Sequence, residues 1–442
     1  MPKGLRKVQI SFREDQLTHF AGMLLIQGFC QKLRLRRLLQ RQLRPAPRFR
    51  EYHPSEMILA VLYAIIAGMD RVNETQILQY NGAFQKIVGL SKYPDQTAIR
   101  RFLRRLSPHH IRQLVQVHEI LRKSFFDRPQ ERASLVFDLD STVLIIYGRK
   151  VEKARVGCNP KKPGRRSYHP LLCFEAGRQE FWHGSLRPGN AATSTGAVPF
   201  LKVCLAKIPR PMARSRIRFR LDSGFYGRRV IEFLDSTGCG YAMVAKEYPS
   251  IKARARTVRF TEERRGWEVG EFRWRPLSRG KAHRFVVVRR PIPEDPVEAR
   301  QLTLFKDTKY AYHVFVTNLR VSPWRVYCLY SPRATVEKHI RELVYDYPLA
   351  KIPTQDWIPN VAFFQLLLLG FDLVHYFKRL CLPRSYYTKT LKTIRMELLV
   401  LPGRLIKAQK RYHLRLPRQY HFEQVFRNAL SRVEKLRELP VE

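Results

Sequence analysis

The run from Ser134 to Tyr147, SLVFDLDSTVLIIY, narrows most sharply what this chain can fold into. It is apolar, rich in β-formers and closed by Gly148-Arg149-Lys150, so it reads as a core strand. Side chains alternate along a strand, which puts Leu135, Phe137 and Leu139 on one face and Val136, Asp138 and Asp140 on the other. Two carboxylates inside a core strand are costly unless something neutralises them. One solution is local: Asp140 ends the strand and caps a turn with Ser141 and Thr142. The other is chemical: Asp140 is a metal-binding carboxylate on a sheet edge. Acidic partners elsewhere in the chain decide between them.

The second such strand is Arg216 to Leu221, where Ile217, Phe219 and Leu221 alternate with Arg and the run stops at Asp222-Ser223-Gly224. A helix from Arg228 to Leu234 and a strand from Gly238 to Ala245 follow, the order of a parallel α/β unit. Between the two acidic strands lies a turn-rich basic loop, Gly148 to Pro170, with Lys161, Lys162, Arg165 and Arg166. Strands from Leu171 to Phe174 and near Phe181-Trp182 come next, then a helix from about Thr193 to Ala206. From 246 to 328 the chain turns to short alternating runs, beginning at Thr257-Val258-Arg259-Phe260-Thr261, which read as an antiparallel β insertion. Past it, Ser331 to Val344 reads as a helix with Arg333 and Glu337 four apart on one face. Glu342 and Lys338 read as a solvated ion pair on that helix.

Three acids on separate elements of such a sheet hold two divalent ions about 4 Å apart in phosphodiester chemistry. All-oxygen ligands suit Mg²⁺ or Mn²⁺.

Ahead of the sheet, residues 53–126 read as all-helical. Asp95 is placed to cap a helix in which Ile99, Phe102, Leu103 and Leu106 form the apolar face. Gln96, Thr97, Arg100, Arg101, Arg104 and Arg105 lie largely off that face. With a preceding helix, Ala83 to Val88, this makes a helix-turn-helix-like unit whose polar residues are placed for DNA contact. The alternative is a helical bundle with basic exposed faces. Charge favours DNA: 82 Lys and Arg against 37 Asp and Glu give a formal +45, which calls for a polyanionic partner and a steeply salt-dependent affinity. The basic residues are spread through the sequence rather than set beside an apolar anchor, which argues against a membrane. The most apolar run, Val361 to Val374, is interrupted by Gln365 and Asp372 and is too short to span a bilayer, so it reads as a buried helix. Seven cysteines without a C-x-x-C pair and no visible secretory signal point to a reducing compartment, cytoplasmic and nucleoid-associated.

Taken in order, FDLDST, GCNPKKPGRRSYHPLL, LDSGFYG and YSPRATVEKHIREL resemble DDE transposases of bacterial insertion sequences, in the subgroup with a Tyr-x2-Arg-x3-Glu-x6-Lys signature. The resemblance implies an α/β fold: a ribonuclease H-like core with an antiparallel β insertion, flanked by helical N- and C-terminal regions. It divides the chain into a DNA-binding region (1–126), the first part of the core (134–245), the insertion (246–328), the last part of the core (329–380) and a basic helical C-terminal region (381–442). It implies Asp140, Asp222 and Glu337 as catalytic residues and metal ligands, with two Mg²⁺ (or Mn²⁺) ions per site. Tyr330 and Arg333 match the signature as DNA contacts. Where the signature has Lys, this chain has Val344; Arg341, one turn past Glu337, is expected to take over phosphate contact, and the basic loop to grip phosphates. Tryptophans 267, 274 and 324 correspond only loosely to one that steadies a flipped base in some members; sheet core is their default role.

The implied activity is metal-dependent cleavage of element ends and strand transfer into target DNA by a homodimer on double-stranded DNA. Two alternatives stay open: a catalytically inactive repressor of the element, and a metal-dependent nuclease that cuts without joining.

Overall fold

In the computed structural model, which describes residues 10–45, 51–126, 134–157, 159, 162–209, 212–275, 280–292, 305–307, 309–409 and 411–439, ten strands form one mixed sheet. In chain order they are β1 (Leu135–Ser141), β2 (Leu171–Glu175), β3 (Glu180–Ser185), β4 (Ile217–Leu221), β5 (Gly240–Val244), β6 (Thr261–Arg264), β7 (Trp267–Trp274), β8 (His283–Pro291), β9 (Phe305–Lys306) and β10 (Tyr310–Thr317). Their order is β6-β7-β8-β10-β5-β4-β1-β2-β3, with β9 on β10. β4 runs parallel to both β1 and β5; the other pairs are antiparallel. This sheet belongs to one compact unit, residues 125–341.

Parallel neighbours need a crossover that packs back on the sheet. Between β4 and β5 the helix Arg228–Ser236 supplies it, burying Val230, Ile231 and Leu234 in the main core. That core takes the Leu135, Phe137 and Leu139 face of β1 and the matching face of β4, where Phe137 stacks on Phe219 with ring centroids 5.5 Å apart. On the opposite face, Val326 of the helix Pro323–Tyr330 packs with Ala242, Val286, Val288 and Phe315. Trp267 and Trp324 pack at the edge of this second cluster and Trp274 at the edge of the main core.

The β-rich stretch extends the main sheet, because β10 pairs antiparallel with β5, Phe315 opposite Val244. Pairing there covers what is otherwise an open edge of β5. The strand expected from Thr257 begins only at Thr261; before it, Pro249–Thr257 is a helix, with Pro249 in its first turn and Ile251 and Ala255 buried four residues apart. The basic loop is more ordered than its turn residues imply: Leu144–Ile145, Arg155–Val156 and Arg166–Tyr168 form a small antiparallel sheet.

The second compact unit combines residues 1–124 and 342–442. Its central helix, Trp357–Cys381, packs against Pro54–Ala67, Gln96–Arg105 and Glu423–Lys435. The segment expected to complete the core up to residue 380 therefore crosses into this unit at Glu342. At 25 residues the helix is long and apolar enough to cross a membrane by length and composition, unlike the shorter run read from sequence. Most of it is buried. The helix continues past Asp372 because that carboxylate is buried against His118 Nε2, 2.6 Å away.

The C-terminal region, expected to be helical, contains a hairpin of Gly403–Ala408 and Arg411–Arg415, with Leu17–Thr18 paired to its first strand. Residues 404–407 alternate polar-apolar-apolar-polar, too short a run to separate strand from helix by period. The closing helix is Glu423–Lys435.

Candidate active site and nucleic-acid interface

The parallel register sets Asp138 of β1 opposite Arg220 of β4. The guanidinium grips the carboxylate at both ends, Nε on Oδ1 and Nη2 on Oδ2 at 2.6 Å, with both side chains buried. Its remaining Nη1 donates to Leu329 O at 2.9 Å, tying the end of the helix Pro323–Tyr330 to the sheet. Asp138 is thus half of a closed bidentate pair.

Two residues further along each strand stand Asp140 and Asp222. Asp140 is buried, and Ser141 N donates to its Oδ1 at 2.7 Å. The strand runs on through Ser141 and Thr142 N donates to Pro170 O, so Asp140 does not end the strand and cap a turn as the local alternative expected. Asp222 is a third exposed; its Oδ1 caps the turn Ser223–Phe225 by accepting from Gly224 N at 2.9 Å. Gly224 is required there by space, since a Cβ would lie 2.9 Å from the Thr193 side chain.

A single cation serves both acids. Arg333 Nη2 lies 3.3 Å from Asp140 Oδ1 and 3.6 Å from Asp222 Oδ2, and donates to Leu139 O at 3.0 Å. Burial pushes the Asp140 carboxyl up to about 6; Arg333 pulls it down, and Asp222 and Glu337 add smaller repulsions. Tyr330 packs its ring on Phe315, and burial pushes its phenol up to about 12.

Glu337 is exposed in the first turn of the helix Ala334–Tyr345, directly after the Ser331–Arg333 turn. Among the described residues no group of three His, Cys, Asp or Glu side chains is close enough to hold a metal. Asp140 and Asp222 nevertheless fit a hard divalent ion. They offer only carboxylate oxygens, and both already lie near one positive group.

A polar wall that the periodicity of the sequence does not announce stands beside Asp140. His169 Nδ1 donates to Ala191 O at 2.7 Å, which leaves Nε2 to accept from the Ser141 hydroxyl at 3.0 Å. Ser141 Oγ is also 3.1 Å from Thr193 Oγ1. Arg187 braces the wall through His169 O at 2.8 Å and Ala192 O at 3.1 Å. The sole sequence signal was the place of His169 inside the SYHPLL motif.

Of the residues expected to meet DNA, Thr97, Arg101 and Arg104 are exposed on the helix Gln96–Arg105, and Gln96 and Arg100 are half-buried. Asp95 caps this helix through Thr97 N and Ala98 N, while Ala98, Ile99, Phe102 and Leu103 face the core. Phe84–Ile87 precedes it as a single helical turn. Three of the polar side chains, Gln96, Arg100 and Arg104, are already engaged: Arg100 donates to Gln96 Oε1 and Arg104 to Asp356 Oδ2. Lys162 and Arg165 are exposed, Arg166 is half-buried against Arg149 O, and Lys161 lies outside the described residues. Beside them, Arg149, Lys150, Lys153, Arg155 and Arg166 line a hollow of about 340 Å³. Arg341 is exposed, whereas Arg333 is buried and turned to the acids, not outward as a DNA contact requires. Attraction to the two carboxylates offsets the cost of desolvating the guanidinium and keeps it inside.

The family model described as Transposase DDE domain group 1 matches residues 1–438. No curated protein matches by sequence. Among solved structures the chain is similar to a piggyBac transposase synaptic complex with hairpin DNA, at 10% identity and a TM-score of 0.41, over 86% of this chain and 80% of that one. It is also similar to a Mos1 transposase paired-end complex with left transposon end, at 14% identity and a TM-score of 0.17, over 44% and 59%.

Proposed function

Since the chain belongs to the DDE transposase family, we propose that this transposase binds the ends of an insertion sequence and performs metal-dependent end cleavage and strand transfer at Asp140, Asp222 and Glu337. The observation that carries the reading is the pair Asp140 and Asp222, brought from β1 and the end of β4 onto one buried cation. The strand order β3-β2-β1-β4-β5, antiparallel then parallel about β1, supports a ribonuclease H-like core extended by the β-rich segment.

The chemistry a bound pair of Mg²⁺ or Mn²⁺ ions supplies is activation of the attacking oxygen and neutralisation of the leaving one. The protein's part is to hold oxygen ligands in place. Ser141 N and Gly224 N fix the Asp140 and Asp222 carboxylates. The Asp138–Arg220 pair fixes the strands that carry them and the chain leading to Glu337. Hydrolysis breaks the P–O3′ bond at the element end and frees a 3′-hydroxyl. That hydroxyl then attacks a target phosphodiester, giving up its proton to solvent while the target's own 3′-oxygen leaves and is protonated, and no covalent protein–DNA bond forms. Exposed Thr97, Arg101 and Arg104 with Lys162 and Arg165 supply phosphate and groove contacts. Joining two ends calls for a homodimer on DNA, working in the cytoplasm at the nucleoid.

The test is linear DNA carrying the element ends, incubated with the protein and Mg²⁺ and scored for binding, cleavage and joining. Cleavage followed by joining is expected. Binding alone would return the repressor reading, and cleavage without joining the nuclease reading.

Arg341 stands in for the signature Lys that Val344 replaces. Arg341→Ala is expected to weaken end binding or strand transfer about tenfold, the scale of one lost charge-assisted phosphate contact. Gel-shift titration and a joining assay check this, and unchanged values in both reject the assignment.

A further inference from the structure

We propose that Arg333 is the resident counter-cation of the metal-free site, and that its guanidinium and a divalent ion compete for one seat between Asp140 and Asp222. This rests on reading those two acids as metal ligands, and goes beyond it by giving Arg333 a role other than DNA contact.

The geometry is that of a stand-in ion. One nitrogen, Nη2, approaches a carboxylate oxygen of each acid, at 3.3 and 3.6 Å. The residue is only 6% exposed, so its charge is not shared with water. A buried guanidinium usually spends its whole fork on partners. Here Nε is buried with no hydrogen-bond partner, so the two negative charges, together with Leu139 O, set its position. Desolvated like this, a charge is held by charge.

Charge balance also explains why the third acid stays away. Asp140 and Asp222 set two negative charges against the single positive charge of Arg333. Bringing Glu337 in would add a third carboxylate with nothing to offset it, and Glu337 is exposed on the helix that starts right after Arg333. A doubly charged ion reverses that balance: it leaves room for a further carboxylate and is repelled by a guanidinium held in place. The two cations cannot share the seat, because like charges a few ångströms apart in a buried site repel strongly.

The competition is read in full-length protein without DNA, by titrating Mn²⁺ and following the free ion by electron paramagnetic resonance. Arg333→Gln keeps a donor for Leu139 O and removes the charge; it is expected to bind Mn²⁺ at least about tenfold more tightly than the unaltered chain. A merely structural Arg333 predicts equal or weaker binding, and that result overturns the proposal. If Arg333→Gln does not fold without metal, Mn²⁺ is expected to restore a cooperative melt, and failure to do so counts against it equally. Asp222→Asn separates the two levels. It is expected to lose Mn²⁺ binding. If it binds like the unaltered chain, the ligand assignment itself is wrong and the proposal falls with it. If it loses binding while Arg333→Gln gains none, only the competition is refuted.

Discussion

Asp222→Asn is expected to lower end cleavage and strand transfer at least about 10³-fold while leaving end binding within a few-fold, as each ~1.4 kcal/mol of lost transition-state stabilisation costs a factor of ten. The substitution suits the question because Asn keeps what the fold needs of Asp222. Its Oδ1 still accepts from Gly224 N, so the Ser223–Phe225 turn is retained. The side chain is a third exposed, so no large desolvation term changes. What disappears is one of the two carboxylate charges that converge on the site. The proposed DNA contacts, Thr97, Arg101, Arg104, Lys162 and Arg165, are exposed residues elsewhere in the chain, so a gel shift with the ends is expected to report intact binding. Cleavage that persists in Asp222→Asn would refute the three-acid site.

The second large effect is on stability. Arg220→Met is expected to cost about 3–5 kcal/mol, because it leaves the Asp138 carboxylate buried with its bidentate partner gone. Burial already pushes that carboxyl above its usual range despite Arg220. The sign for a second substitution follows: Asp138→Asn in the Arg220→Met background removes the orphaned charge and is expected to recover more than half of the loss. Denaturant midpoints of the two single variants and the double form a thermodynamic cycle that measures the coupling. Equal midpoints for Arg220→Met and the unaltered chain would show that the pair contributes nothing. Arg220→Met also frees Leu329 O, so the segment carrying Tyr330, Arg333 and Glu337 loses an anchor.

Local periodicity made much of this legible. Alternation placed β4 within a residue, and a 3.6-residue face with an Asp cap placed Gln96–Arg105; the run Ser134 to Tyr147 holds β1 and a second short strand, Leu144–Ile145. It failed where a short run satisfies two periods, as at the Gly403–Ala408 strand and at Thr257, which ends a helix. It also failed on unit membership: the apolar period of Trp357–Cys381 shows that the helix is buried but not which core buries it. The roles of His169 and Arg187 escaped periodicity for a different reason, since hydrogen bonds to the Ala191 and Ala192 carbonyls leave no periodic trace.

The amino-acid order by itself determined which acids stand at strand ends and which helix carries Glu337, because alternation and helical spacing are properties of neighbours in the chain. Only the tertiary structure decided what neutralises those acids. Arg220 reaches Asp138 across 82 positions, through the parallel register of β1 and β4, and Arg333 reaches Leu139 O across 194. A buried carboxylate demands a counter-charge, and with 82 Lys and Arg residues in the chain local pattern gives no means of choosing which one. Strand order and burial choose it, leaving Asp138 closed by Arg220 and Asp140 sharing Arg333 with Asp222.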